Sequence, residues 1–418
     1  MAENFDAVRR AVGCQSAVLE SGLTVLVRPM PGYSSTYAIY GTRFGSIDLD
    51  FEVDGKTVHL PAGTAHFLEH KMFESEEGDA FARFAKTGAS ANAYTSFDKT
   101  CYLFSATDKV DENLDILLSM VNEPYFTEAT IAKEQGIIGQ EIKMYDDSPD
   151  WRVMTAIFGC LYHNHPIRHD IAGTVKSIAS ITPDMLYDSC RAFYNPGNMV
   201  LAVAGNVTME QVLAACGRAK LPARPQSVRR IKAAEPAAIA RPEARFSMQV
   251  AKPCLGVGFK EAPVRGVKFE VVCDMLTEVI CGGMTPLYRT LYDQNLVNPG
   301  FDGEFLALDG LCCFMFTGET DQPEKVRDML LAEIERLRAE GVDGELFTLC
   351  KNQLYGEMVQ GLESTESAAS LLAGSFLRGC RPGEELEALA SVTKQDLDDA
   401  LQTMLRPERS ATVVVDPA

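Results

Sequence analysis

The sequence predicts an α+β protein of two homologous α/β-sandwich units, each a mostly antiparallel sheet covered by helices, joined by an extended linker. Three observations predict it. At 418 residues the chain is long for a single core, since cores stop growing near ~250 residues. Residues 219–245 lose hydrophobic periodicity and collect Pro222, Pro225, Pro236 and Pro242 among Lys220, Arg224, Arg229, Arg230, Lys232 and Arg241, a composition that keeps a segment extended. The order of strand-like and helix-like stretches before that segment is repeated after it. The expected domains are therefore 1–218, a linker 219–245, and 246–418.

In the first half, Leu23 to Val27 and Tyr37 to Tyr40 alternate as strands do, separated by a Pro29/Pro31-Gly32 turn. Ser46 to His59 continues extended and closes on Pro61-Ala62-Gly63. Thr64 is the expected N-cap of a helix that carries His66, Glu69 and His70 and ends in the acidic turn Glu74 to Asp79. A short helix, Asp79 to Lys86, leads to Gly88–Ser96, whose small residues suit an edge strand. Cys101 to Ala106 reads as a strand and Glu112 to Val121 as a helix. Thr127 caps a long helix to about Tyr145, halted near Pro149, with Ala132, Ile138, Ile142 and Tyr145 as its apolar stripe. Gly136 and Gly139 within it argue for close packing on another element. The run Tyr162-His163-Asn164-His165-Pro166, followed by His169, reads as a loop without a ligand role. A helix from Thr182 to Tyr194 and the strand Met199 to Gly205 complete the half.

In the second half, Ser247 to Lys260 reads as strand, Val267 to Cys281 as helix, and a further helix ends near Tyr292. Leu311 to Thr317 is a strand. Helices over Pro323–Glu340 and Gly344–Leu362 follow, and Ala411 to Val415 is the closing strand.

Composition narrows the function. With 46% hydrophobic and 23% charged residues the chain can bury sizeable cores. A net charge of −19 repels phosphate backbones and anionic membranes, which excludes nucleic acid as an expected partner. The twelve cysteines form no Cys-x-x-Cys pair and mostly sit in apolar contexts, which suits a reducing compartment. The first residues show no basic segment followed by a long apolar run, and no stretch reaches the ~18 apolar residues of a membrane span. A soluble, cytoplasmic protein is expected.

The chemistry concentrates in His66-Phe67-Leu68-Glu69-His70. Histidines four apart stand one above the other on a helix, so both imidazoles can grip one metal ion. A metal held this way needs a third protein ligand and an open position for water, whose proton a neighbouring carboxylate can take. Glu69 stands beside the pair. Glu134 and Glu141, seven apart, share one face of the later helix and can supply a carboxylate.

Three stretches also resemble a known family. Gly63 to Glu74, Asn92-Ala93-Tyr94-Thr95-Ser96, and the pair Glu134/Glu141 are similar to the inverzincin zinc metallopeptidases of the pitrilysin, insulin-degrading enzyme and mitochondrial processing peptidase group. The resemblance covers nearly the whole chain and is dense through residues 20–205. It implies one Zn2+ per chain, held by His66, His70 and Glu141. Glu69 would then be the general base and Glu134 a supporting carboxylate of the catalytic site. It also implies that Asn92 and Ala93 lie on an edge strand that binds substrate by strand addition. The separation of His70 from Glu141 is shorter than usual, as a loop deletion would make it.

One departure bears on partners. Family members carry an Arg and a Tyr seven apart in the second half, and here Leu291 and Asn298 stand at those places, with Arg289 and Tyr292 nearby at another spacing. The family encloses substrate within four such units, and some two-chain members divide the zinc and the Arg/Tyr pair between subunits. The resemblance is thus to the zinc-bearing subunit of bacterial two-chain members. It implies an endopeptidase acting on small or unfolded peptides as a heterodimer with a zinc-less homologue, or as a homodimer. The alternative is a non-catalytic structural or peptide-binding subunit of the same fold.

Overall fold

The computed structural model of the protein describes residues 12–76, 78–263, 266–308 and 310–418. These form two compact units of three chain segments each. The first comprises the chain through Ile142, Asp170–Lys232 and Met358–Glu384; the second comprises Lys143–His169, Ala233–Glu357 and Glu385–Ala418.

The first unit is built on a six-stranded sheet in the order Gln15–Val18, Thr24–Pro29, Met199–Gly205, Thr36–Thr42, Thr100–Ala106, Ser90–Thr95. Every pairing is antiparallel except that of Met199–Gly205 with Thr24–Pro29. Met199–Gly205 is buried at every position, as its unbroken apolar run requires. The helix Thr365–Arg378 packs on the central strands through Ala368, Ala369, Leu372 and Ala373. Val110–Asn122 packs on Thr36–Thr42 and Thr100–Ala106, and Thr64–Lys71 on the two last strands of the sheet.

The second unit repeats the topology. Its five strands run Glu243–Met248, Ser410–Pro417, Cys254–Glu261, Leu311–Glu319, Asp302–Leu308, again with one parallel pair, between the first strand and the last. The duplication expected from element order is thus a duplication of strand order. The helix Pro149–Leu161 lies against this sheet. Gly256 and Gly258, on one face of their strand, make room for it: an added Cβ would meet Val153 Cγ1 at 2.5 Å and Ile157 Cγ2 at 2.4 Å respectively.

The structure corrects several expectations. A Pro at the first helical position lacks only an N–H that would be unpaired anyway, so Pro149 starts a helix rather than merely stopping one. That helix belongs to the second unit although it lies in the first half of the sequence, and Thr365–Arg378 belongs to the first unit although it lies in the second half. The chain therefore passes between units repeatedly, whereas the sequence reading has it cross once. Within the expected linker, Val228–Arg230 pairs with Asp50–Val53, and Glu243–Met248 is already a sheet strand. The His163–His169 loop is organised by Glu235, whose carboxylate accepts the backbone N–H groups of His163 (2.9 Å), Asn164 (2.7 Å) and His165 (2.9 Å) and the Lys260 ammonium (2.6 Å). Burial alone would push this carboxyl up, but those donors bring it down to about 2. All twelve cysteines are free thiols, buried except for Cys14 and Cys380. No helix among the described residues is long and apolar enough to cross a membrane.

Gly63, not Thr64, caps the helix that bears the histidines, in a left-handed conformation (φ 95°). A Cβ there would lie 2.5 Å from Ala172 O, and one on Gly173 would lie 2.3 Å from Ala62 O, so two glycine turns press backbone against backbone. Ser177 Oγ secures the contact by donating to Ala62 O (2.7 Å). Gly63→Ala is expected to cost about 1–3 kcal/mol, because it combines positive φ with a blocked approach. Gly55→Ala, where φ is also positive (80°) but nothing lies within 4 Å, should cost less. Thermal unfolding of the two variants compares them; equal losses would mean that the Gly63–Ala172 approach contributes nothing.

Candidate metal centre

Thr64–Lys71 is a helix of eight residues, all buried except His70. The four-residue spacing brings the imidazoles of His66 and His70 to 4.7 Å between ring centroids. The helix Glu128–Asp146 faces them with Glu134 buried and Glu141 half-buried, both on its packed side with Ile131, Ile138 and Ile142. Ala132, expected in that stripe, is exposed. The expectation of close packing at Gly136 and Gly139 also fails, since a Cβ at either would meet nothing within 4 Å.

Glu141 reaches both rings: Oε1 is 3.6 Å from His66 Nε2 and Oε2 is 3.4 Å from His70 Nε2. Glu134 takes the other side of the second ring, with Oε1 3.0 Å from His70 Nδ1. Glu69 lies alongside with Oε2 accepting from Thr95 Oγ1 at 2.7 Å. Lys71, fully buried, pairs with Glu74.

Burial pushes the Glu69 carboxyl above the usual range, although His66 and the Thr95 hydroxyl work against it. Burial would lower His70, but its hydrogen bond to Glu134 and the charges of Glu69 and Glu141 outweigh it and leave this imidazole raised. The same pairing, helped by Lys71 and Lys133, overcomes burial at Glu134 and holds its carboxyl low. His66 Nδ1 is buried without a hydrogen-bond partner among the described residues.

One ligand atom from each of His66, His70 and Glu141 lies within 4.8 Å of the other two, the metal-competent group found among the described residues. Two imidazoles and a carboxylate suit a borderline-soft divalent ion. A tetrahedral zinc with bonds of ~2.0–2.1 Å separates its ligand atoms by ~3.4 Å, the scale of the two His–Glu distances here. The donor set therefore fits zinc.

Ser90–Thr95 is the outermost strand of its sheet and pairs with Thr100–Ala106 alone among the described strands. Asn92 is exposed, and its Oδ1 accepts from Ala93 N at 2.9 Å. Thr95 was missed by the sequence reading; the available signal was strand alternation, which puts Ala91, Ala93 and Thr95 on the less exposed face. In the second unit, Leu291 is in the core and Asn298 donates to Glu319 (2.8 Å), while Arg289 and Tyr292 are exposed on the helix Pro286–Asp293.

The family model described as insulinase (peptidase family M16) matches residues 60–175, and that described as peptidase M16 inactive domain matches residues 180–354. The chain is 37% identical to the uncharacterized zinc protease YmfH of Bacillus subtilis, over 96% of this chain and 95% of that protein. It superposes on the crystal structure of an M16-like peptidase from Alicyclobacillus acidocaldarius with a TM-score of 0.93 and 32% identity, covering 97% and 98% of the two chains. The fold is also shared with the periplasmic protease PqqL from Escherichia coli at TM-score 0.75 and 19% identity, where 97% of this chain matches 48% of that one.

If Glu134 orients His70, then Glu134→Ala should weaken zinc binding by about 10–100-fold. Competition against a chelator of known affinity measures it. Because a proton on His70 competes with the metal, the wild-type affinity should also fall as the pH is lowered through the raised His70 pKa.

Proposed function

The chain belongs to the M16 peptidase family, and from that premise we propose that it is a zinc-dependent endopeptidase that hydrolyses small or unfolded peptides. The convergence of His66, His70 and Glu141 ligand atoms within 4.8 Å, with Glu69 adjacent, carries the reading. Bound zinc would supply Lewis-acid polarisation of the scissile carbonyl and a water acidified toward neutrality. The protein's own groups do the rest. His66 and His70 offer Nε2 and Glu141 a carboxylate oxygen to the ion. Glu134 accepts from His70 Nδ1, which fixes the tautomer that leaves Nε2 free to ligate. Glu69, with its carboxyl shifted upward by burial, takes the proton of the attacking water and returns it to the leaving amine. Asn92 and Ala93 lie on the strand whose outer edge offers backbone hydrogen bonds to an extended peptide.

The proposal includes a partner. Leu291 and Asn298 supply neither the cation nor the phenol that the family places there, so substrate grip would come from a second chain: a zinc-less homologue, or else another copy of this one. That 97% of this chain corresponds to 48% of PqqL supports a working assembly of two such chains. A cytoplasmic setting is proposed from the twelve free thiols.

Glu69→Gln should retain about one zinc per chain, because the amide replaces no ligand, while peptide cleavage falls by about 10²–10⁴-fold. Metal analysis and cleavage of an unstructured peptide, with the chain alone and mixed with a zinc-less homologue, test both parts. A Gln variant that still cleaves defeats the role of Glu69, and full activity of the lone chain as a monomer defeats the split site. Absence of stoichiometric zinc in the wild type would favour a non-catalytic subunit.

A further inference from the structure

We propose that Thr95 is the positioning residue for Glu69, and that through it the strand expected to receive substrate also sets the orientation of the general base. The inference rests on the peptidase reading for its consequence, but its geometry stands apart from it. Glu69 Oε2 accepts from Thr95 Oγ1 at 2.7 Å. Glu69 Oε1 receives no hydrogen bond from the described side chains. One oxygen is tethered and the other is left without such a bond.

The tether is itself well anchored. Thr95 has one hydroxyl proton, and its other near neighbour, Thr100 Oγ1 at 3.4 Å, already donates to Phe44 O at 2.9 Å. An ionised carboxylate is the stronger acceptor, so the Thr95 proton is directed to Glu69. The Thr95 backbone is paired with Thr100, and the hairpin closes just beyond it through Ser96 N to Lys99 O at 2.8 Å. A β-branched side chain on such a strand has restricted χ1, which fixes the direction of Oγ1.

Asn92, Ala93 and Thr95 belong to one six-residue strand. An extended peptide pairing with its outer edge would lie on the same backbone that carries the Glu69 tether. The aim of the base is built in before substrate arrives, which places the benefit in the turnover step and not in ground-state affinity.

The test uses the full-length chain with whatever second subunit supports cleavage, in three forms: wild type, Thr95→Val and Thr95→Ser. Val keeps the shape and removes the donor; Ser keeps the donor. Thr95→Val should lower kcat by about 10–100-fold, the worth of a hydrogen bond to a charged group, with KM within ~twofold and zinc content unchanged. Thr95→Ser should recover most of the activity. Crystal structures of wild type and Thr95→Val supply a readout independent of turnover: the Glu69 carboxylate should leave its wild-type position when the hydroxyl is removed. A Thr95→Val protein with wild-type kcat, or with Glu69 unmoved, overturns the proposal. Glu69→Gln assayed alongside separates the two readings. If the wild type cleaves no peptide, the peptidase reading fails, and the position of Glu69 in the paired crystal structures still decides the role of Thr95.

Discussion

The hydrogen bond between His70 Nδ1 and Glu134 Oε1, 3.0 Å long, sets the geometry on which the centre depends. Two helices that pack through apolar ridges can slide or rotate; a polar pair between the half-buried His70 and the buried Glu134 cannot be made in another register without leaving the buried carboxylate unsatisfied. With Glu134 docked, Glu141 follows two turns later on the same face, ~10.5 Å along the axis. Its two oxygens then arrive at 3.6 and 3.4 Å from the two imidazoles. A slip of one residue would rotate that carboxylate ~100° away. His70 is thus held at both nitrogens by one helix, while His66 is held through Nε2 alone, its Nδ1 having no partner among the described residues.

Electrostatics explain why such a cluster persists in a folded protein. Glu69, Glu134 and Glu141 surround two imidazoles beneath the surface, and carboxylates gathered this way repel one another unless cations share the site. His70, with its raised pKa, and the fully buried Lys71 provide part of that charge, and a divalent ion would provide more. A divalent ion bound there would offset the repulsion that makes the metal-free cluster costly.

The sequence made some of this legible and hid the rest for physical reasons. Met199–Gly205, Val267–Cys281 and Pro323–Glu340 have the bounds that their apolar patterns predict, and the family resemblance that named His66, His70 and Glu141 rests on residues that the structure does bring together. Pro149 misled because proline ends one helix and opens another with equal ease. Thr365–Arg378 was overlooked, and which sheet a helix covers is a long-range property that no local pattern encodes. Gly136 and Gly139 suggested a close approach, yet a Cβ on either would meet nothing within 4 Å, so composition alone did not reveal how the helix was packed. Thr95 was invisible for the same reason: a threonine on a strand has an ordinary explanation until the carboxylate it meets, 26 residues away, is placed beside it.

The duplicated sheet topology sharpens the contrast between the two copies. In the second unit the helix Val267–Cys281 has fifteen residues and buries Val271, Met275, Leu276, Val279 and Ile280, so hydrophobic burial along its length suffices to hold it. Its counterpart, Thr64–Lys71, has eight residues, too few to be stable by propensity, and buries His66, Glu69 and Lys71 among its apolar side chains. Such a helix needs anchors at its ends. The Gly63–Gly173 backbone contact fixes its start, and the Glu134 hydrogen bond to His70 fixes its last turn. The polar cluster and the need for outside anchors therefore sit on the same element: the copy that carries the cluster is shorter and buries His66, Glu69 and Lys71 where the other buries apolar side chains, so it depends on neighbours that also aim its side chains.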